Sequence, residues 1–172
     1  FEIADNGVGF DETNFMSFRR SDSTTKAKYG GKGVGRLLWL KVFSAVRIAS
    51  VFSDGGKLRK REFSFSTDGI GSPTLTDAAT PRGTTVTIKS PVEYYKAALQ
   101  HEGETIAIST IEHCLEYFIA DKKPKVFLVD ADAGFDAELG RLFQDELKSE
   151  IKRNDFTVNG ARFRITHLLV RG

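Results

Sequence analysis

Three short stretches pair glycine with a polar side chain: Asp5-Asn6-Gly7-Val8-Gly9, Gly30-Gly31-Lys32-Gly33-Val34-Gly35 and Gly83-Thr84-Thr85. Glycine permits positive φ and lets a ligand lie close to the backbone. Asp5 offers a carboxylate acceptor suited to an exocyclic amine, and Thr84 offers a second polar group. The middle stretch opens an apolar run that reads as a helix. Bare amides at a helix start, with the positive end of its dipole, favour an anion such as phosphate. Taken singly, each cluster reads equally as a tight turn. In this order they suit an adenine nucleotide, with the base on Asp5 and Thr84 and the phosphates at the helix start.

Spacing excludes two common phosphate motifs. A P-loop needs Ser or Thr directly after Gly-Lys, but Gly33 follows Gly31-Lys32, with Val34 and Gly35 next. A dinucleotide fingerprint counted from Gly33 and Gly35 needs glycine where Leu38 stands, and a buried strand where a polar segment stands. The acidic run Asp130 to Asp136 begins like a calcium loop. Its sixth and twelfth positions are Phe135 and Arg141 rather than Gly and Glu, so a solvated strand-to-helix turn is the simpler expectation. The basic run Lys57-Leu58-Arg59-Lys60-Arg61 and the cluster Lys122, Lys123 and Lys125 suit either nucleic acid or solvated edges. For the first, a solvated hairpin edge is expected.

These residues need elements to hold them. Phe1 to Asp5 reads as a strand ending in a turn, and Asp11 to Phe18 as one short helical turn. Arg19 to Tyr29 is too polar to pack and reads as a loop. Leu37 to Phe43 is apolar nearly all round, which predicts a buried helix. Val46 to Val51 and Leu58 to Phe65 read as strands joined at Asp54-Gly55-Gly56. Thr67 to Arg82 reads as a long loop and Thr84 to Ile88 as a strand. Further on, Glu104 to Ala120 has helical spacing, Lys125 to Val129 reads as a strand and Ala137 to Lys152 as an amphipathic helix. Asp155 to Leu168 reads as a hairpin turning at Asn159-Gly160. A soft boundary near residue 95 divides the chain into 1–95 and 96–172. His113, beside Cys114 on an apolar helix, is expected to pack in a core.

The bulk numbers constrain less. The chain has 172 residues, 40% hydrophobic and 28% charged, with net charge +2, so any polyanion site must be argued locally. One cysteine excludes an intrachain disulfide and fits a reducing, cytoplasmic setting. No stretch approaches the roughly 20 apolar residues of a membrane span, and no signal peptide is read. Both ends fall in strand-like runs, from which a piece of a longer protein is expected.

The order D-x-G-x-G, G-x-x-G-x-G opening a helix, then G-T, resembles the GHKL superfamily of gyrase B, ninety-kilodalton heat-shock chaperones, sensor histidine kinases and MutL. The match covers residues 1 to about 90. GGKGVGRLLWLKVF looks most like the bacterial heat-shock-chaperone-like ATP-binding proteins. The resemblance implies an α+β fold: a two-layer α/β sandwich (Bergerat fold) with helices on one face of an antiparallel-rich sheet. A partial transducer-like α/β domain would follow it. It implies ATP and Mg2+ as cofactors. Asp5 would receive the adenine amino group, Gly7 and Gly9 would form its turn and let the base approach, and Thr84 would complete water-mediated contacts. The amides of Gly33, Val34 and Gly35 would hold phosphates beside Lys32, after Gly30 and Gly31. Residues 19–31 would be an ATP lid, with Lys26 either a phosphate contact or a solvated lysine.

The same resemblance places the general-base Glu and the Mg-binding Asn on a helix before the first motif, upstream of Phe1. No catalytic or metal residue is therefore assigned here, and Glu2 and Glu12 stand at the wrong places. Histidine kinases are the less similar relatives, because the His residues 101, 113 and 167 all follow the motifs. The expected function is ATP binding and, in a full-length protein, Mg-dependent hydrolysis driving lid closure and homodimerisation, with no membrane partner. The fragment alone is expected to hydrolyse ATP negligibly. The competing class is a non-hydrolysing module for protein or nucleic acid.

Overall fold

The computed structural model describes residues 1–20, 35–99, 102–120 and 124–170, with backbone alone at 146–151, 168 and 170. They form two compact units, Phe1–Leu99 and Gln100–Gly172.

The first unit is built on a six-stranded sheet in the order β1-β6-β2-β3-β4, with β5 also on β3. Its strands are β1 (Glu2–Asp5), β2 (Phe43–Asp54), β3 (Lys57–Ser66), β4 (Gly69–Ile70), β5 (Thr74–Asp77) and β6 (Gly83–Pro91). All pairings are antiparallel. Helices α1 (Glu12–Arg19) and α2 (Gly35–Val42) cover one face, and a short α3 (Glu93–Lys96) follows β6. The α+β fold, with helices against an antiparallel sheet, is as expected.

Inward positions of β2, β3 and β6 alternate, so Val46, Ile48, Phe63, Phe65 and Ile88 are buried together. Helix α1 places Phe15 and Phe18 three residues apart, on one face, against them. Phe63 is the hub: the rings of Phe10, Phe15 and Phe18 meet it edge-on at centroid distances of 5.8, 5.0 and 5.5 Å. Asp11 caps α1, its Oδ1 accepting from the Asn14 amide at 2.7 Å.

Three expectations for this unit change. Helix α2 has no buried residue. Trp39, Leu40 and then Phe43 pack on the core, while Leu37 and Leu38 stand 45% and 64% exposed on the far side. A helix lying on one sheet face has only one side to bury. The basic run 57–61 is not an edge, because β4 and β5 pair with the outer side of β3. Within it Arg61 is buried and Arg59 pairs with Asp77. The long loop 67–82 contains β4 and β5.

The second unit has helices α4 (Gly103–His113), α5 (Leu115–Ile119) and α6 (Leu139–Leu142), with strands β7 (Phe127–Asp130) and β8 (Phe135–Glu138). A π-helical turn (Phe143–Leu147) follows α6, then β9 (Lys148–Val158) and β10 (Ala161–Val170). Ala107, Ile111, Phe118, Leu139 and Phe143 form its core. The helix expected over 104–120 breaks at Cys114 (φ −108°), and His113 is exposed, not packed. The helix expected over 137–152 is cut to α6 and the π-helical turn that ends at Leu147. Leu139 and Phe143 bury themselves four residues apart, and the chain then extends to pair with β10. Pairing in the sheet here overrides helical periodicity. The acidic segment 130–136 is a hairpin between β7 and β8, not a strand-to-helix turn.

Candidate nucleotide site

One cross-strand row changes the chemistry of the helix-facing side of the first sheet. Ile3, Val86, Ile48 and Phe63 stand opposite one another across β1, β6, β2 and β3. Two residues along, the next row on the same face is Asp5, Thr84, Ser50 and Arg61. Directly opposed residues share a face, so an apolar row is followed at once by a polar one.

Asp5 ends β1 and is exposed. Its Oδ1 accepts from the Gly7 amide at 2.7 Å, closing the turn. Its Oδ2 has no hydrogen bond among the described residues. Thr84 and Ser50 are buried, with their hydroxyl oxygens 3.0 Å apart. Ser50 Oγ also accepts from the Phe10 amide at 2.8 Å and lies 3.3 Å from the Gly83 carbonyl.

The turn after β1 is tied down on both sides. Gly9 has φ +79°, and a Cβ there would meet the Val51 carbonyl at 2.3 Å. Only glycine combines that backbone with that contact. A Cβ on Gly83 would meet the Asp5 carbonyl at 2.3 Å, so β6 also needs glycine where it crosses the end of β1. Asn14 Nδ2 donates to the Gly9 carbonyl at 3.0 Å.

Arg61 completes the brace. Its guanidinium lies 4.4 Å from the Phe15 ring centroid and 5.1 Å from that of Phe52. Nη1 donates to the carbonyls of Phe10 and Asp11, each at 3.0 Å, and Nη2 to Glu12 Oε2 at 2.7 Å. A buried charge is tolerated only when so paired, and here it fixes the chain leaving Gly9.

Of the residues expected at the site, Asp5, Gly7, Gly9 and Thr84 come together here. Gly35 opens α2 and has open space where a Cβ would stand. Gly30, Gly31, Lys32, Gly33 and Val34 lie outside the described residues, as do Lys26 and most of the expected lid. Just beyond that segment, Arg36 stacks over Phe18 at 4.8 Å and donates to the Arg20 carbonyl at 2.5 Å. Partial burial pulls its guanidinium below the usual arginine range.

No family model and no curated protein matches the chain. Among solved structures it is similar to the 43K ATPase domain of Thermus thermophilus gyrase B, solved in complex with an aminocoumarin. The TM-score is 0.56 at 17% identity, over 98% of this chain and 48% of that one. The chain has the fold of that ATPase domain. It spans about half that neighbour's length.

Sequence reasoning missed Ser50 and Arg61. Both sit at inward parity, in Val46-Ile48-Ser50-Phe52 and Arg61-Phe63-Phe65, and a polar residue at an apolar parity was the available signal. A concavity of about 820 Å³ on the opposite sheet face, lined by residues including Arg47, Glu62, Ser64 and Thr87, lies away from this row. Within it Glu62 is already paired, with Arg47 and Lys60 at 3.1 Å each, and the polar row beside the glycine turn is the better candidate.

Proposed function

We propose that the chain binds an adenine nucleotide on the Asp5–Thr84–Ser50 row and that, within a full-length protein, ATP turnover there drives a conformational switch. The observation that carries this reading is the change from an apolar to a polar cross-strand row beside a glycine turn. Asp5 Oδ2 takes the 6-amino group, Gly9 leaves room for the base over the backbone, and Thr84 supplies a second contact. The amides from Gly33 to Gly35, with Lys32 beside them and Gly30 and Gly31 before them, receive the phosphates. Residues 19–31 close as a lid, and closure favours a homodimer.

Mg2+ accompanies ATP in this reading, but the described residues supply no group of three metal-ligating side chains for it. No step is assigned through it here.

Calorimetric titration of ADP into the full chain tests the reading. Saturable binding is expected, weakened about tenfold to a hundredfold by Asp5→Asn. The amide oxygen must stay on the Gly7 amide, which turns the NH2 donor toward the amino group of the base. Wild-type protein that binds neither ADP nor ATP would sink the proposal. Unchanged affinity in Asp5→Asn would sink the adenine assignment.

A further inference from the structure

We infer that Ser50 sets the hydrogen-bonding polarity of Thr84 and thereby makes the pocket select a 6-amino over a 6-oxo purine. The inference rests on the adenine-nucleotide reading above.

Ser50 is fully buried and its hydroxyl meets three partners: the Phe10 amide at 2.8 Å, the Thr84 hydroxyl at 3.0 Å and the Gly83 carbonyl at 3.3 Å. A hydroxyl has one proton to give and two lone pairs to receive. The Phe10 amide can only donate, so it takes one lone pair. The Gly83 carbonyl can only accept, so it takes the proton. The remaining lone pair receives the proton of Thr84. This arrangement satisfies all three partners of a buried group, whereas the reverse polarity leaves the Gly83 carbonyl without the Ser50 proton.

Thr84 has then given its only proton to Ser50 and turns lone pairs alone toward the ligand. Asp5, next to it in the row, is an acceptor as a carboxylate. Two acceptors side by side match a base edge that donates, as an exocyclic amine does. A 6-oxo group would bring a third acceptor against them. Ser50 needs no contact with the base for this. It is a positioning residue that acts through Thr84.

The test is the ratio of affinities for ADP and IDP, which differ in the 6 substituent and in the proton that N1 carries in IDP, measured by calorimetry on the full chain. Wild type is expected to prefer ADP by about tenfold or more. Ser50→Ala frees the Thr84 proton to point at an oxo group, and the ratio is expected to fall toward parity. A purely structural role for Ser50 would weaken both nucleotides equally and hold the ratio, and that result overturns the inference. If Ser50→Ala does not fold, as judged by its thermal melt, Ser50→Cys supplies the same readout, because a thiol is a poor acceptor. A retained ratio in Ser50→Cys overturns the inference as well. Wild type that binds neither nucleotide overturns the nucleotide reading, and this inference with it.

Discussion

Two hairpins of this chain share a turn and little else. β2 and β3 join at Gly55-Gly56, with φ of +55° and +83°; β9 and β10 join at Asn159-Gly160, with +49° and +78°. Both are two-residue turns of the type I′ kind, matched to strand twist. The first hairpin is flanked by β6 on one side and by β4 and β5 on the other, and it buries Val46, Ile48, Phe63 and Phe65. The second has no third strand among the described residues, and Phe156, Val158, Phe163 and Ile165 stand 40–48% exposed. A turn specifies register, but burial of a face supplies stability. The polar row can sit inside the first unit only because an apolar row beside it carries the packing.

The largest test of this contrast is one phenylalanine from each hairpin. Phe63 is ringed by three aromatic partners and 4% exposed, so Phe63→Ala is expected to cost about 3–5 kcal/mol. Phe163 is 48% exposed and stacks on Phe156 at 5.5 Å, so Phe163→Ala is expected to cost only about 0.5–1.5 kcal/mol. Urea unfolding followed by fluorescence of Trp39, the single Trp, reads the first unit, and amide exchange reads the second. Equal losses would mean that a face left open here is packed in solution.

A subtler pair is Gly9 and Gly160. Their φ angles are +79° and +78°, but a Cβ on Gly160 meets nothing within 4 Å while one on Gly9 meets the Val51 carbonyl at 2.3 Å. Gly160→Ala should therefore show the backbone term alone, about 1–2 kcal/mol. Gly9→Ala should add roughly 1–3 kcal/mol of overlap and weaken ADP binding. Calorimetric melts of both variants give the difference. If the two costs match, the close approach at Gly9 has relaxed, and its role in the pocket falls with it.

Much of the candidate row could be read from the sequence because turns and strand ends have local signals. Asp5, Gly7, Gly9 and Thr84 each sit at such a point, and the register β1–β6 only had to bring two of them together. Ser50 and Arg61 were hidden because their roles are non-local. Arg61 lies fifty positions from the Asp11 carbonyl it holds, and its basic neighbours disguise it as surface. Helix α2 was expected to be buried because composition reports how apolar a helix is, not how many of its sides meet a partner. The lost helix over 137–152 shows the opposite failure. A charged, helix-compatible run became β9 because β10 offered it a ladder of backbone hydrogen bonds. Pairing across such distances leaves no mark in a short window.

The smallest effect lies in acid. In the exposed hairpin, Asp155 accepts from Arg164 Nε at 2.7 Å and Nη2 at 2.9 Å, and these hydrogen bonds hold its carboxyl below the usual range. In the first sheet, the hydrogen bond from Lys60 foremost, with Arg47 adding to it, does the same to Glu62. A depressed carboxylate contributes stability above its unfolded value of about 4 and loses it as pH falls through the folded value. Asp155→Asn should therefore loosen the hairpin slightly at about pH 7 and match wild type well below about pH 4. The chemical shifts of Phe156 and Phe163 during urea titration at each pH would show it. Added salt should shrink the difference at neutral pH, because the pair is exposed and screened. An Asp155→Asn variant with the wild-type pH dependence would mean that the two hydrogen bonds are not populated in solution. The second hairpin would then be held without that ion pair, on its backbone ladder, its turn and its stacked rings.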